Sequence, residues 1–138
     1  MKELARRYRG RAVFAFVYIR EAHAVDGILP ERQTGTWLMG TPERCLLVET
    51  PRTDEERAAL ARHCREEMAL QFPLLVDGLD DAVEATYAAW PERLYLVDVD
   101  GTVVYRGEKG PEGFLPDEFA GVVDELARFY EGTLPSGF

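Results

Sequence analysis

The sequence holds two histidines and two cysteines, and their spacing relative to Glu21 frames what chemistry it could do. Glu21 and His23 form a Glu-x-His pair directly after the apolar run 12–19, at the C-terminal end of the strand that run predicts, where open α/β sheets place their sites. The plainer alternative is a polar pair that satisfies loop amides. A Glu-x-His pair with a distant His63-Cys64 could also be read as metal ligands. Structural zinc sites favour two closely spaced ligand pairs, which this is not, so no metal site is expected. Cys45 and Cys64 do not form a CxxC motif, and each could be inert core. Adjacent helical residues point about 100° apart, so His63 is badly placed to activate Cys64. Cys64 nevertheless stays a candidate redox thiol, in a resolving or substitute peroxidatic role. No cofactor is implied by any motif.

The elements that must position these residues follow from the pattern along the chain. Residues 2–9 read as a short basic helix closed by Gly10. Residues 12–19, Ala-Val-Phe-Ala-Phe-Val-Tyr-Ile, read as a strand buried on both faces, as in a parallel sheet. From 20 to about 43 the chain is irregular and carries Gly27, Pro30, Gly35, Gly40 and Pro42. A loop this long in a compact domain is usually functional or disordered. Trp37 and Met39 within it read as residues that cap the core.

Residues 45–48 form a short apolar segment and an expected strand. Thr53 followed by Glu56 is a capping box that opens a helix to about Leu70, with Ala59, Leu60, His63, Cys64 and Ala69 toward one side. Residues 72–76 give the next strand and 80–89 a short helix. Residues 94–97 and 102–105 are strands joined through Asp98-Val-Asp-Gly101, an Asp-Gly hairpin signal. Lys109-Gly-Pro-Glu-Gly113 lacks the context of a phosphate loop and reads as the turn into the last helix. That helix, 116–130, places Phe119, Val122, Val123, Leu126 and Phe129 on one stripe. The alternation of helices and strands predicts a single α/β domain with a parallel core and an antiparallel C-terminal hairpin.

Composition narrows the function classes. With 46% hydrophobic residues over 138 positions, the chain can bury one core. Its formal charge of -9 and pI of about 4.7 repel phosphate backbones, which argues against nucleic acid. Arg6, Arg7, Arg9 and Arg11 cluster near the N-terminus and read as a solvated helix end. No stretch is long and apolar enough to span a membrane, and no signal-peptide core is visible, so a cytoplasmic location is expected.

Three passages together resemble the iodothyronine deiodinase family and its bacterial relatives. The first is Phe16-Val-Tyr-Ile-Arg-Glu-Ala-His-Ala-Val-Asp-Gly27. The second runs from Leu74-Leu-Val-Asp-Gly through Tyr87-Ala-Ala-Trp-Pro-Glu-Arg-Leu-Tyr95. The third is Val104-Tyr-Arg-Gly-Glu-Lys-Gly-Pro-Glu-Gly-Phe114, with Pro116 and Glu118 beyond it. The resemblance implies a thioredoxin-like fold and a chalcogen held as its anion at a helix N-terminus. It also implies that Tyr18, Glu21 and His23 form the proton relay and that Arg93 binds a substrate carboxylate. Pro91 lies near where thioredoxin folds place a cis-proline. Val25 and Ile28 depart from the family pattern and make the mouth of the site more aliphatic.

The family's cysteine or selenocysteine follows a first core strand, and neither Cys45 nor Cys64 matches that position. The resemblance therefore implies that the nucleophile segment, with the central strand of the sheet, is absent from these residues. Two functions are expected from this. One is a reductive redox protein, acting in dehalogenation or in peroxide or disulfide reduction with a thiol reductant. The other is a nucleophile-free homologue serving as a binding or assembly module. An open sheet edge in either case favours a homodimer.

Overall fold

The computed structural model of the chain describes residues 1–22, 24, 26 and 48–133. They fall into two compact units, one of Met1–Val13 with Pro91–Phe138 and one of Phe14–Trp90. The mixture of helices with small parallel and antiparallel sheets is that of an α/β, thioredoxin-like chain.

The first unit contains helix α1 (Lys2–Arg7), and the second contains strand β1 (Phe16–Tyr18), helix α2 (Asp54–Glu67), strand β2 (Leu74–Val76) and helix α3 (Ala82–Tyr87). The hairpin β3 (Tyr95–Val97) and β4 (Val103–Arg106) and helix α4 (Pro116–Thr133) complete the first unit. In the first unit the hairpin turns at Asp98–Gly101, where Gly101 takes φ +89°. The amide of Asp98 donates to the Thr102 carbonyl at 2.8 Å and that of Gly101 to the Asp98 carbonyl at 3.0 Å. Helix α4 buries Phe119 and Val123, and the Phe119 ring lies 5.6 Å from that of Tyr105 on β4. At α1 the Tyr8 hydroxyl donates to Asp124 Oδ1 at 2.5 Å, beside Arg7 at 3.2 Å from the same carboxylate.

In the second unit β1 pairs parallel to β2, with Phe16 opposite Leu74 and Tyr18 opposite Val76. The strand is shorter than the apolar run 12–19 predicts. Its ladder starts where the Phe16 amide donates to the Pro73 carbonyl at 2.9 Å, and Pro73 has no amide with which to extend it upstream. Val13 is accordingly 89% exposed, and of β1 only Tyr18 is buried, so the expectation of a strand covered on both faces does not hold.

Helix α2 begins as the capping box predicts. Thr53 Oγ1 accepts from the Glu56 amide at 3.1 Å, while Glu56 Oε2 reaches the Arg52 amide at 2.7 Å. Its C-terminus closes with Leu70 N–H on the Arg65 carbonyl and Ala69 N–H on that of Glu66, a Schellman pair with Ala69 at φ 47°. The buried face is rotated from the one expected. Arg57 and Ala61 are buried with Cys64 half-buried, and Ala59 and Ala69 face solvent. The reason is Arg57, whose guanidinium finds acceptors at the end of β2 and so turns inward. On α4 the stripe likewise ends early, and Phe129 is 62% exposed.

The one cis peptide among the described residues joins Gly110 to Pro111, not the bond before Pro91. It lies in the turn 109–113 that leads into α4, held by Gly110 N–H on the Glu92 carbonyl and Gly113 N–H on that of Lys109. The expected strand at 45–48 falls almost wholly outside the described residues, as do His23, Cys45, Trp37 and Met39. Val48 itself is in no regular element.

Candidate functional site

The site grows from the C-terminal end of β1, where open α/β sheets place their ligands. Tyr18, the last residue of β1, is buried, and its ring meets that of Phe16 edge-on at 6.5 Å. Its carbonyl accepts the Asp77 amide at 2.8 Å, which carries the β1–β2 ladder one step further. Asp77 is buried to 3% exposure, and its carboxylate accepts from the Val83 and Glu84 amides at 3.1 and 2.8 Å. Those donors are the first turn of α3, which has no side-chain cap of its own, so Asp77 satisfies amides that the helix leaves open.

Arg57 enters the same junction from α2. Its Nη1 donates to the Gly78 carbonyl, lies 3.5 Å from that of Asp77, and pairs with Asp81 Oδ1 at 2.8 Å. Arg57 is 3% exposed, and its buried Nε has no acceptor among the described residues. A buried charge needs this kind of company, and here two backbone carbonyls and one carboxylate supply it.

Glu21 comes next after the strand end. Burial pushes its carboxyl up from the usual range, and the charge of Arg57 pulls it part of the way back. The Cys64 thiol is pushed up too, first by burial and then by the Glu21 charge. Its Sγ lies 3.5 Å from Met68 Sδ. Glu21 thus stands within electrostatic reach of both Arg57 and Cys64. These two share a helix face, seven residues or about 10 Å apart along the axis. The preceding residue, Arg20, pairs with Glu84 at 3.4 Å and stacks over the Trp90 ring at 5.1 Å. The arrangement can hold a carboxylic acid ready to give up a proton. It does not favour a thiolate at Cys64, because desolvation and a neighbouring carboxylate both oppose one.

Of the residues singled out in the sequence, Tyr18, Glu21 and Cys64 share the unit Phe14–Trp90, and His23 lies outside the described residues. Arg93 belongs to the other unit, half-buried, with its Nε buried and without an acceptor among the described residues. Arg57 and Asp77 were not singled out. Asp77 could have been found as an acid between a strand and a short helix that lacks a cap. Arg57 carries no comparable sequence signal. Among the described residues no group of three His, Cys, Asp or Glu side chains could hold a metal ion. None of the described helices is long and apolar enough to cross a membrane.

The profile of the iodothyronine deiodinase family matches residues 1–127. The chain belongs to the iodothyronine deiodinase family. It is similar to the type I iodothyronine deiodinase of Xenopus laevis, at 31% identity over 123 residues, 89% of this chain and 43% of that protein. The thyroxine 5-deiodinase of Gallus gallus is 33% identical over 124 residues, 90% of this chain and 43% of its own length. The human thyroxine 5-deiodinase is 27% identical over 134 residues, 97% of this chain and 40% of its length. The chain therefore spans about two fifths of the length of these deiodinases. Membership places it in a family of redox enzymes and accounts for the three passages that resembled the deiodinases.

Proposed function

We propose that this deiodinase-family chain delivers protons in a reductive, chalcogen-based reaction, with Glu21 and His23 as the relay, Tyr18 beside them and Arg93 as the carboxylate-binding residue. The observation that carries the reading is Glu21, an acid after a strand end whose burial pushes its carboxyl above the usual carboxylate range. In a reductive dehalogenation a selenolate or thiolate attacks the halogen and the carbon–halogen bond breaks. The carbon keeps the electron pair and takes the proton from the relay. Two reductant thiols then release halide and form a disulfide. Peroxide or disulfide reduction would use the same relay to protonate the leaving oxygen or sulfur.

The nucleophile in this proposal comes from outside the 138 residues, and Cys64 is not it. The test is thiol-dependent iodide release from an iodinated phenol. It uses the chain, its Cys45→Ser/Cys64→Ser variant, and the protein as its gene encodes it. No turnover by the first two, with turnover by the third that falls at least about 100-fold in Glu21→Gln, supports the reading. Turnover by the chain that disappears with Cys64→Ser overturns it.

A second reading is a nucleophile-free binding or assembly module working as a homodimer. It is favoured by the raised Cys64 thiol and by exposed Val17, Leu75 and Val76 on the two-stranded sheet, apolar surface of the kind that seeks a partner. Light scattering that gives a dimer, with the protein as its gene encodes it inert toward iodinated phenols and peroxides, would establish this reading in place of the first.

A further inference from the structure

We propose that Arg20 is a specificity-determining residue: laid on the Trp90 ring and held by Glu84, it presents its guanidinium fork to a planar organic anion arriving at the end of β1. This deepens the proposed function by naming the class of molecule taken there, and it rests on that reading for the reaction that follows.

Holding a long side chain costs rotamer entropy, so a surface arginine is ordinarily free to wander. Arg20 is held twice. Its guanidinium carbon lies 5.1 Å from the centre of the Trp90 ring, inside the range where a ring face attracts a cation. Its Nε stands 3.4 Å from Glu84 Oε2.

Both partners are themselves fixed through the backbone. Asp77 donates its amide to the Tyr18 carbonyl, and its carboxylate accepts the Glu84 amide at 2.8 Å. The Glu84 carbonyl in turn accepts the Ala89 amide at 3.0 Å, where α3 closes with Ala88 at φ 48°. Trp90 is the next residue. Glu84 thus uses its amide at the strand end, its carbonyl at the helix end and its carboxylate on Arg20. The circuit from Tyr18 through Asp77 and Glu84 to Arg20 closes within one unit, Phe14–Trp90.

What stays open on Arg20 is the part that recognises anions. Its side chain keeps 47% of its surface exposed, and no described residue accepts a hydrogen bond from its two terminal nitrogens. Those nitrogens form a planar fork suited to an oxyanion, and the guanidinium face turned away from the indole suits a flat ring. A molecule held there lies beside the residue preceding Glu21. A neutral ring gains the stack without the fork, so the selection is for charge. Arg93, the cation that the family pattern assigns to a carboxylate, belongs to the other unit.

The test is NMR titration of the 138-residue chain with benzoate, 2,6-diiodophenolate and the neutral benzyl alcohol. The signal followed is the Trp90 indole N–H, assigned by its loss in Trp90→Phe. Both anions should move it to saturation, the tighter one naming the source of the oxyanion, and benzyl alcohol should bind about tenfold more weakly or worse. Arg20→Met should weaken both anions about tenfold or more, and Arg20→Lys should restore little, because an ammonium has no fork. The proposal is overturned by wild type that binds neither anion, by benzyl alcohol binding as well as benzoate, or by undiminished binding in folded Arg20→Met. Binding lost in Arg93→Met and kept in Arg20→Met overturns it too. The readout needs no turnover, so inert protein that still binds counts against the proposed function alone. In active protein as its gene encodes it, Arg20→Met should raise KM and leave kcat within about threefold.

Discussion

The Asp77 amide donates to the Tyr18 carbonyl at 2.8 Å, while the Asp77 carboxylate accepts two amides of α3. One residue thereby ends the β1–β2 ladder and starts the next helix. Replacing it should cost more than an ordinary cap. Asp77→Ala leaves two first-turn amides open and is expected to lower stability by about 2 kcal/mol, read from the urea midpoint at constant m.

Ala69 closes α2 at φ 47°, a conformation that charges a Cβ about 1 kcal/mol. Ala69→Gly should therefore stabilise the chain by roughly 0.5–1 kcal/mol, because the Schellman hydrogen bonds of Ala69 and Leu70 need no side chain. A lower thermal midpoint in this variant would contradict the described helix end.

Glu21 has a raised folded-state value, caused first by burial. The folded chain then binds this proton more tightly than the unfolded chain. Stability is lost as pH rises from the ordinary carboxylate range through the raised value, and the deficit persists above it. Glu21→Gln removes the deficit. It should raise the thermal midpoint at pH 7 relative to wild type and change little at pH 4. Partial exposure of the side chain keeps the gain below about 1 kcal/mol.

Asp124 behaves in the opposite sense. The Tyr8 hydroxyl bond, and then Arg7, hold its carboxyl below the usual range. Its contribution is present above that range and is lost as pH falls through the lowered value. The same bond holds the Tyr8 phenol above its usual value. Asp124→Asn should flatten the acid arm of a plot of thermal midpoint against pH, leaving the region near pH 7 less affected than the removal of a buried group would.

Local grammar made much of the fold legible. Thr53 with Glu56 announced α2, and Asp-Gly at 100–101 announced the hairpin, because in both cases a few neighbouring atoms decide the conformation. The face of α2 was not legible. An arginine reads as a solvated residue until its acceptors are known, and those acceptors are carbonyls twenty residues onward. Strand β1 was overextended because an apolar run does not reveal that its partner begins after a proline. At the site, the roles of Tyr18, Glu21 and Arg93 emerged only from the family pattern. The Arg57–Asp81 clamp has no short-range pattern at all.

Arg20 stacked on Trp90 gives the molecule an optical consequence. An indole under a fixed cation emits differently from one whose cation has withdrawn, so fluorescence follows the residue next to Glu21 without any label. With Trp37→Phe, Trp90 becomes the sole indole in the chain. Its emission then offers a stopped-flow signal for whatever enters at the end of β1, on a timescale that end-point chemistry cannot reach.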